Sequence, residues 1–419
     1  MLGLGGSLIV RDSLGSVIPH ENDALSVLKA HSMSEKLYNN EVYWKKVSKF
    51  FNRPKDFLQF EHGYFSHQPQ TTLKFHQLAE NHINNQTSEF MRTVQETEIE
   101  SARVKLADFL GVDPEELALT RNTTESLNIV IMGFPWKTGD EVIIGNQDYG
   151  SMVEAFEQAS ARFGIVIKVA NVPLMPKSDE DVIEAYSQLV TPKTRMLHLT
   201  HTINLTGQVI PANAIVDRCK LLNSSFAVVI DAAHSTAHTI DKIGSFKADF
   251  IGGSLHKWLC TPLGLGYLVV RKSEIPKIWP LFGDVNIAKN NVRRFEHQGT
   301  RPIHTIQTLH AAIEFQNAIG FEAKLARLQY LKEMFLSKVD GKNGIKCISP
   351  WEDKNRGGAV FCIQKEGFTP AEFATKIMKD FRIFTVGIDH PVVKGVRVTP
   401  HLSNTIDDVN RFTDVILRA

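Results

Sequence analysis

The stretch DAAHSTAHTIDKIGSFKADFIGGSLHKWLCTPLGLGYLVV, residues 231–270, decides how this 419-residue chain is read. It places Asp231 directly behind the apolar run FAVVI, and it places Lys257 between His256 and Trp258 in glycine-rich surroundings. An acid that closes a buried run lies at the carboxyl end of a predicted parallel strand, the edge where open α/β sheets hold their ligands. A lysine among apolar residues is costly unless its charge is used, and its neutral amine can condense with an aldehyde.

Working outward, EVIIGN, GIVIKVANV, RMLHLTH, FAVVIDAA, DFIGGS and LGYLVV are short runs rich in Val and Ile. Helix-like stretches such as residues 181–189 and 212–222 separate several of them. Strands buried on both faces and alternating with helices predict an α/β layer with a mostly parallel sheet. Upstream, residues 89–110 read as one long helix ending at Gly111, and VDPEEL as a break before the next element. After about residue 303 the texture changes: Phe321, Leu325, Leu328, Leu331 and Phe335 fall on one helical face, GAVFCIQ and VRVTP read as strands, and Thr405 to Asp408 opens the last helix like a capping box. The expected organisation is an N-terminal arm (1–35), a segment joining the small domain and the active site (36–85), a large domain (86–302) and a small α+β domain (303–419).

Composition removes several function classes. Forty-seven basic and 46 acidic residues leave a net charge of +1, which gives no reason to expect nucleic acid or an acidic membrane as partner. The four cysteines, Cys219, Cys260, Cys347 and Cys362, form no CxxC pair, so neither a zinc site nor a disulfide framework is indicated. His198 and His201 would point to opposite faces of a strand, which argues against a joint metal site. No apolar run is long enough to span a membrane. The opening MLGLGGSLIV reads as the tip of a loose arm, with a cytoplasmic location, or as the tail of an export leader.

Asp231 and Lys257 together fit pyridoxal phosphate, which needs a lysine for its aldehyde and an acid to keep its pyridine nitrogen protonated. A phosphate needs a cradle, and LTRNTTESLNIV offers one: Asn122, Thr123 and Thr124 precede a helix whose free N–H groups favour an anion. Ser254 and His256 add donors just ahead of Lys257.

These residues, with RNTTE, GDEVI, QDYGSM, HTINLTGQVIP, IDAAH, SLHKW, HQGTR and GVRVTPHLSN in that order, resemble the class V aminotransferase family of fold-type I pyridoxal-phosphate enzymes over residues 57–419. FEHGYFSHQP (60–69) and EHQGTR (296–301) are similar to its isopenicillin-N-epimerase-like branch. The resemblance implies a seven-stranded-type, mostly parallel sheet sandwiched by helices, with a smaller C-terminal domain. It implies that Lys257 carries the cofactor and moves the α-proton, that Asp231 pairs with the pyridine nitrogen, and that Tyr149 stacks on the ring. Asn204 would bond the phenolic oxygen and His234 would lie close to it, while Thr123, Thr124, Ser254 and His256 hold the phosphate. Gly299 and Thr300 would serve the partner subunit's phosphate site, which implies a homodimer with shared active sites. Arg397 would grip a substrate carboxylate, and His62 and Tyr64 would line the substrate pocket.

The expected activity is transamination of an amino acid or related amine carboxylate. Epimerisation and β-elimination stand as alternatives, and a relative that binds the cofactor without catalysis stands behind them. Epimerisation would need a second acid or base, for which His62, Tyr64 and His390 are candidates. Cysteine desulfurase chemistry is disfavoured, because no cysteine lies between Phe381 and Arg397, where that branch carries its nucleophile.

Overall fold

A computed structural model describes residues 37–283, 286–353 and 357–418, together with Leu25, Ser26 and Leu28. The rest of the arm expected over residues 1–35 lies outside the described residues.

In chain order the elements are α1 (Glu41–Ser48), β1 (Leu58–Gln59), α2 (Gln70–Thr93), α3 (Gln95–Leu110), β2 (Leu117–Thr120), α4 (Thr123–Gly133), β3 (Glu141–Gly145), α5 (Gly150–Phe163), β4 (Val166–Ala170), α6 (Asp179–Ser187), β5 (Thr194–Thr200), α7 (Ala212–Leu222), β6 (Ala227–Asp231), β7 (Phe250–Ser254) and β8 (Gly266–Val270). There follow α8 (Ile303–Ile319), α9 (Phe321–Val339), β9 (Ile345–Cys347), β10 (Phe361–Lys365), α10 (Pro370–Phe381), β11 (Ile383–Phe384), β12 (Val386–Asp389), β13 (Lys394–Val398) and α11 (Ile406–Ile416).

The large sheet has seven strands in the order β2-β8-β7-β6-β5-β3-β4. Strand β8 runs antiparallel to both its neighbours, and the other pairings are parallel. All six apolar runs read from the sequence are strands of this sheet. The seventh, β2, is four residues long and was not foreseen. Strand β4 departs from the expectation of burial on both faces: it lies at the sheet edge, and Val166 and Val169 are about half exposed (45% and 47%).

The single helix expected over residues 89–110 is two helices. They break at Val94, where the second restarts with Glu96 and Glu98 in its first turn, the charge that a new helix N-terminus favours. Around the four-stranded sheet β12-β13-β10-β9 the core draws on Leu331 and Phe335 of α9, on Phe412 of α11, and on Leu58 and Phe60 from the N-terminal segment. β1 pairs with β11, so that segment is stitched into the small unit. Helix α8 packs instead on α2 and α3, within the core of the large sheet. The small unit's core therefore begins within α9, later than the change of texture at 303. The capping box of α11 is present: Thr405 Oγ1 accepts from Asp408 N at 3.3 Å and Asp408 Oδ2 accepts from Thr405 N at 2.8 Å.

Candidate active site

Strand register brings the chemistry to one edge. Thr200 and Asp231 are paired at the carboxyl ends of β5 and β6, and β7 ends beside them at Ser254. A side chain two residues along a strand returns to the same face, so His198, Thr200 and Asp231 share a face. The N-termini of α4 and α5 reach the same edge, and the turn 203–208 and residues 64–65 of the N-terminal segment close it. Together they enclose a cavity of about 180 Å³.

Asp231 and Lys257 both face this cavity. Asp231 is buried, and its Oδ1 accepts from Ala233 N at 2.9 Å. Burial raises its pKa, opposed chiefly by the neighbouring His198. That histidine lies at 2.9 Å from Asp148 Oδ2 through Nδ1. Burial works against charge on the ring, yet Asp148 and the hydrogen bond to it lift the His198 pKa. The pair Asp148–His198 thus supports a negative Asp231 from below, and sequence reading missed it: Asp148 was visible only as the neighbour of Tyr149 in QDYG.

Lys257 Nζ lies 3.1 Å from His234 Nε2. Burial lowers the Lys257 pKa to about 8, with Asp231 pulling the other way. Burial also depresses His234 well below the usual histidine range, with Lys257 adding to the effect, so the imidazole is neutral, and with Nδ1 facing the Trp258 donor its proton sits on Nε2, toward the amine. The Trp258 indole N–H points at His234 Nδ1 at 3.4 Å.

The cradle at α4 is built as expected. Asn122 caps the helix, its side chain accepting from Glu125 N at 2.9 Å. Thr123 N donates to Ser254 Oγ at 3.0 Å, and the two hydroxyls lie 2.7 Å apart. Gly266 of β8 permits this: a Cβ there would sit 2.6 Å from Asn122 Cα, so only glycine lets β8 press against the start of α4. Thr124, Tyr149, Asn204 and His256 also line the cavity, as does Tyr64. Thr200, Met152, Ala233 and Phe65 line it too and were not singled out beforehand.

Two expected residues, His62 and Arg397, do not line this cavity. His62 is fully buried and stacked on His401, ring centroids 4.6 Å apart. Gly299 and Thr300, expected to serve the partner subunit's phosphate site, do not line the cavity of their own chain. Arg397 is 0% exposed and is closed onto a carboxylate of this same chain, Glu61, rather than open toward the cavity. His198 and His201 bond different partners: Nδ1 of His198 lies 2.9 Å from Asp148 Oδ2 and Nδ1 of His201 lies 2.8 Å from Ser235 Oγ.

The residues present fit the cofactor that the sequence implied. Three residues that line the cavity each have a buried polar atom without a hydrogen-bond partner: Asn204 Oδ1, Thr200 Oγ1 and His256 Nδ1. A native structure rarely leaves such groups unmatched, so a polar ligand is the natural complement. An acid, a lysine and a helix N-terminus at one sheet edge define a pyridoxal-phosphate site on a fold-type I scaffold. Comparison with known proteins takes this further: residues 66–412 match the model of the class-V aminotransferase family, and the chain belongs to that family, whose cofactor is pyridoxal 5'-phosphate.

Among its relatives, the isopenicillin N epimerase of Amycolatopsis lactamdurans is 26% identical over 334 residues, covering 75% of this chain and 83% of that protein. A probable cysteine desulfurase of Mycoplasma pneumoniae is 27% identical over 315 residues, covering 70% and 75%. Solved structures share the fold. The cystine C–S lyase C-DES in complex with cysteine persulfide aligns with a TM-score of 0.79 at 20% identity over 87% of this chain and 98% of that one. The cysteine desulfurase of Thermococcus onnurineus aligns with a TM-score of 0.77 at 21% identity, over 89% and 97%.

Proposed function

We propose that this protein is a pyridoxal-phosphate aminotransferase that acts on the primary amino group of a small molecule. The observation that carries the reading is Lys257: a buried amine brought down to about 8, facing a cavity shared with Asp231 and the α4 N-terminus. When bound, the cofactor supplies an electron sink for the carbanion left by loss of the substrate's proton. Lys257 holds the cofactor through its ε-amine. Freed from the cofactor, that amine would take the proton from the carbon bearing the substrate's nitrogen and, for transamination, deliver it to the cofactor rather than back to the same carbon. A base with a pKa near the working pH is effective in both directions. Asp231 holds a proton on the ring nitrogen. Thr123, Thr124, Ser254 and His256 would seat the phosphate, Tyr149 would stack on the ring, and Asn204 and His234 would hold its phenolic side.

Epimerisation is the second reading. It is supported by the two relatives, 26% and 24% identical, that are isopenicillin N epimerases, and by Tyr64, which reaches the cavity from the N-terminal segment and so from a chain segment remote from Lys257. A thiol nucleophile is not favoured. All four cysteines are buried, none lines the cavity, and burial pushes their thiols up, Cys260 to about 11 and Cys219 and Cys347 to about 12. A homodimer and a cytoplasmic location complete the proposal. No helix of the described residues is long and apolar enough to cross a membrane.

The test begins with colour. The purified protein is expected to show a visible cofactor band that borohydride abolishes, and Lys257→Ala is expected to lose the reducible band; a variant that stays equally reducible would show that another group holds the cofactor. Transamination then predicts conversion of the band to the pyridoxamine form by an amine donor. Deuterium uptake at the reacting carbon without conversion would favour epimerisation.

A further inference from the structure

The closed state of Arg397 bears on what the site can accept, given the reading of that site above. Glu61 meets the guanidinium side-on: Nε donates to Oε2 at 3.0 Å and Nη2 to Oε1 at 2.8 Å. The third nitrogen, Nη1, donates to the backbone carbonyl of Asn204 at 2.9 Å. Glu61 is itself fully engaged, its oxygens also accepting from Gly63 N at 2.7 Å, Tyr64 N at 3.0 Å and Thr399 Oγ1 at 3.3 Å. The Tyr64 ring covers the cation, with its centroid 4.1 Å from Cζ. Backbone passes just as close, since a Cβ on Gly63 would lie 3.2 Å from Arg397 Cζ.

This pair belongs to the wall of the cavity. Tyr64 and Asn204 line the space directly and touch Arg397 from it, and both charges act on Lys257, with opposite sign. Burying an arginine requires a matched acceptor, and a planar carboxylate is the best one. Here the chain supplies that carboxylate itself. With Arg397 so engaged, Lys257 is the sole lysine or arginine of this chain among the described lining residues, and its amine is committed to the chemistry.

We propose that Glu61 is the pocket's built-in carboxylate. It fills the place on Arg397 that the α-carboxylate of an amino acid would take, so the pocket selects primary amines whose reacting carbon carries no free carboxylate. An α-amino acid would have to displace a buried, five-times hydrogen-bonded glutamate before reaching the arginine. An amine carrying a methyl or aryl group in that position meets a neutral wall.

The test uses the holoprotein and matched pairs in which a methyl replaces the carboxylate: isopropylamine against alanine, and 1-phenylethylamine against phenylglycine, each in both enantiomers where they exist. Titrations are read from the shift of the cofactor's visible band. The amine of a pair is expected to bind the wild type at least about tenfold more tightly than the acid, the scale on which a misplaced buried charge is felt. In Glu61→Gln and Glu61→Ala that preference is expected to fall or invert. A wild type that binds the amino acid as well as the amine overturns the proposal. If neither member of a pair binds the wild type, the variants decide: a gain of amino-acid binding supports the proposal, and no gain overturns it. Glu61→Ala also leaves a carboxylate-shaped gap beside Arg397, so sodium acetate should raise its melting temperature while leaving the wild type where sodium chloride leaves it. Equal responses in the two proteins overturn the proposal. Should neither variant fold, the wild-type pairs stand alone as the test. A protein with no cofactor band refutes the reading of the site, while the acetate experiment still tests the place of Glu61.

Discussion

At the scale of the residue, the site turns on how burial sets charge. Lys257 is desolvated, and that is what brings its amine to about 8, against the usual lysine range above 10. The amine must be neutral to attack the cofactor's aldehyde. Below pH 8 each unit of pH therefore removes about tenfold of the reactive form. The rate of cofactor uptake by the apoprotein, followed by absorbance after mixing, is expected to rise about tenfold per unit from pH 6 and to level near 8. A rise that continues to pH 10 would mean that the lysine is solvated. Asp231 holds charge on the ammonium, so Asp231→Asn should move the break lower. This pairing was legible in the sequence because its signal is local: an acid ending one apolar run, and a lysine placed just past the next. The pair of Glu61 with Arg397 was not legible. Its members lie 336 positions apart, and nothing near either residue announces the other. The arginine was read for its chemistry, and its partner could only be found by folding the chain.

At the scale of the element, the turn 203–208 does two tasks. It carries Asn204 to the cavity, and it joins the two sheets' territories, since Gly358 N donates to Gly207 O at 2.6 Å. Gly207 makes this possible. Its φ of +72° lies in the left-handed region, and a Cβ there would sit 1.9 Å from Val360 O. Gly207→Ala combines backbone strain with a clash against the main chain, and a loss of roughly 2–4 kcal/mol is expected. A urea or thermal midpoint unchanged from the wild type would contradict that. Five of the six strands of the large sheet that the sequence announced are buried on both faces, which leaves an uninterrupted apolar signature, and the edge strand β4 was announced by its Val and Ile alone. β2 lacked that signature because it is four residues long and sits within a polar passage. The break at Val94 was invisible for another reason: the sequence on both sides favours helix, and the packing of α2 and α3 against α8 places the corner.

At the scale of the whole molecule, the segment 292–301 is fastened to the large sheet by a buried charge network. Glu296 binds Arg103 through both its oxygens, accepts from Leu119 N at 2.6 Å and from Arg301 Nη2 at 2.8 Å, and is almost wholly enclosed. Burial works against its charge, but Arg103 outweighs that and holds the carboxyl below the usual glutamate range. Removing it leaves Arg103, 1% exposed, with only the partly exposed carboxylate of Glu100, at 3.2 Å, to compensate it. Glu296→Ala is expected to lose about 3–5 kcal/mol of stability in urea unfolding. A loss below about 1 kcal/mol would show that Glu100 alone is enough to hold the arginine. The motif EHQGTR was read for the cofactor site of a neighbouring subunit; in this chain its glutamate anchors the segment.

The order of strands in the large sheet carries a consequence for biosynthesis. β2 reaches the sheet only through β8, yet β2 leads directly into the helix that cradles the phosphate. The two halves of that cradle, Thr123 and Ser254, are 131 residues apart. A ribosome delivers residue 123 long before residue 254, and the strand that clamps them together ends only at Val270. Until then the early half, β2 and the start of α4, has no strand to pair with. Cofactor capture is thus a late event in the life of the nascent chain, a signal that the large sheet has closed.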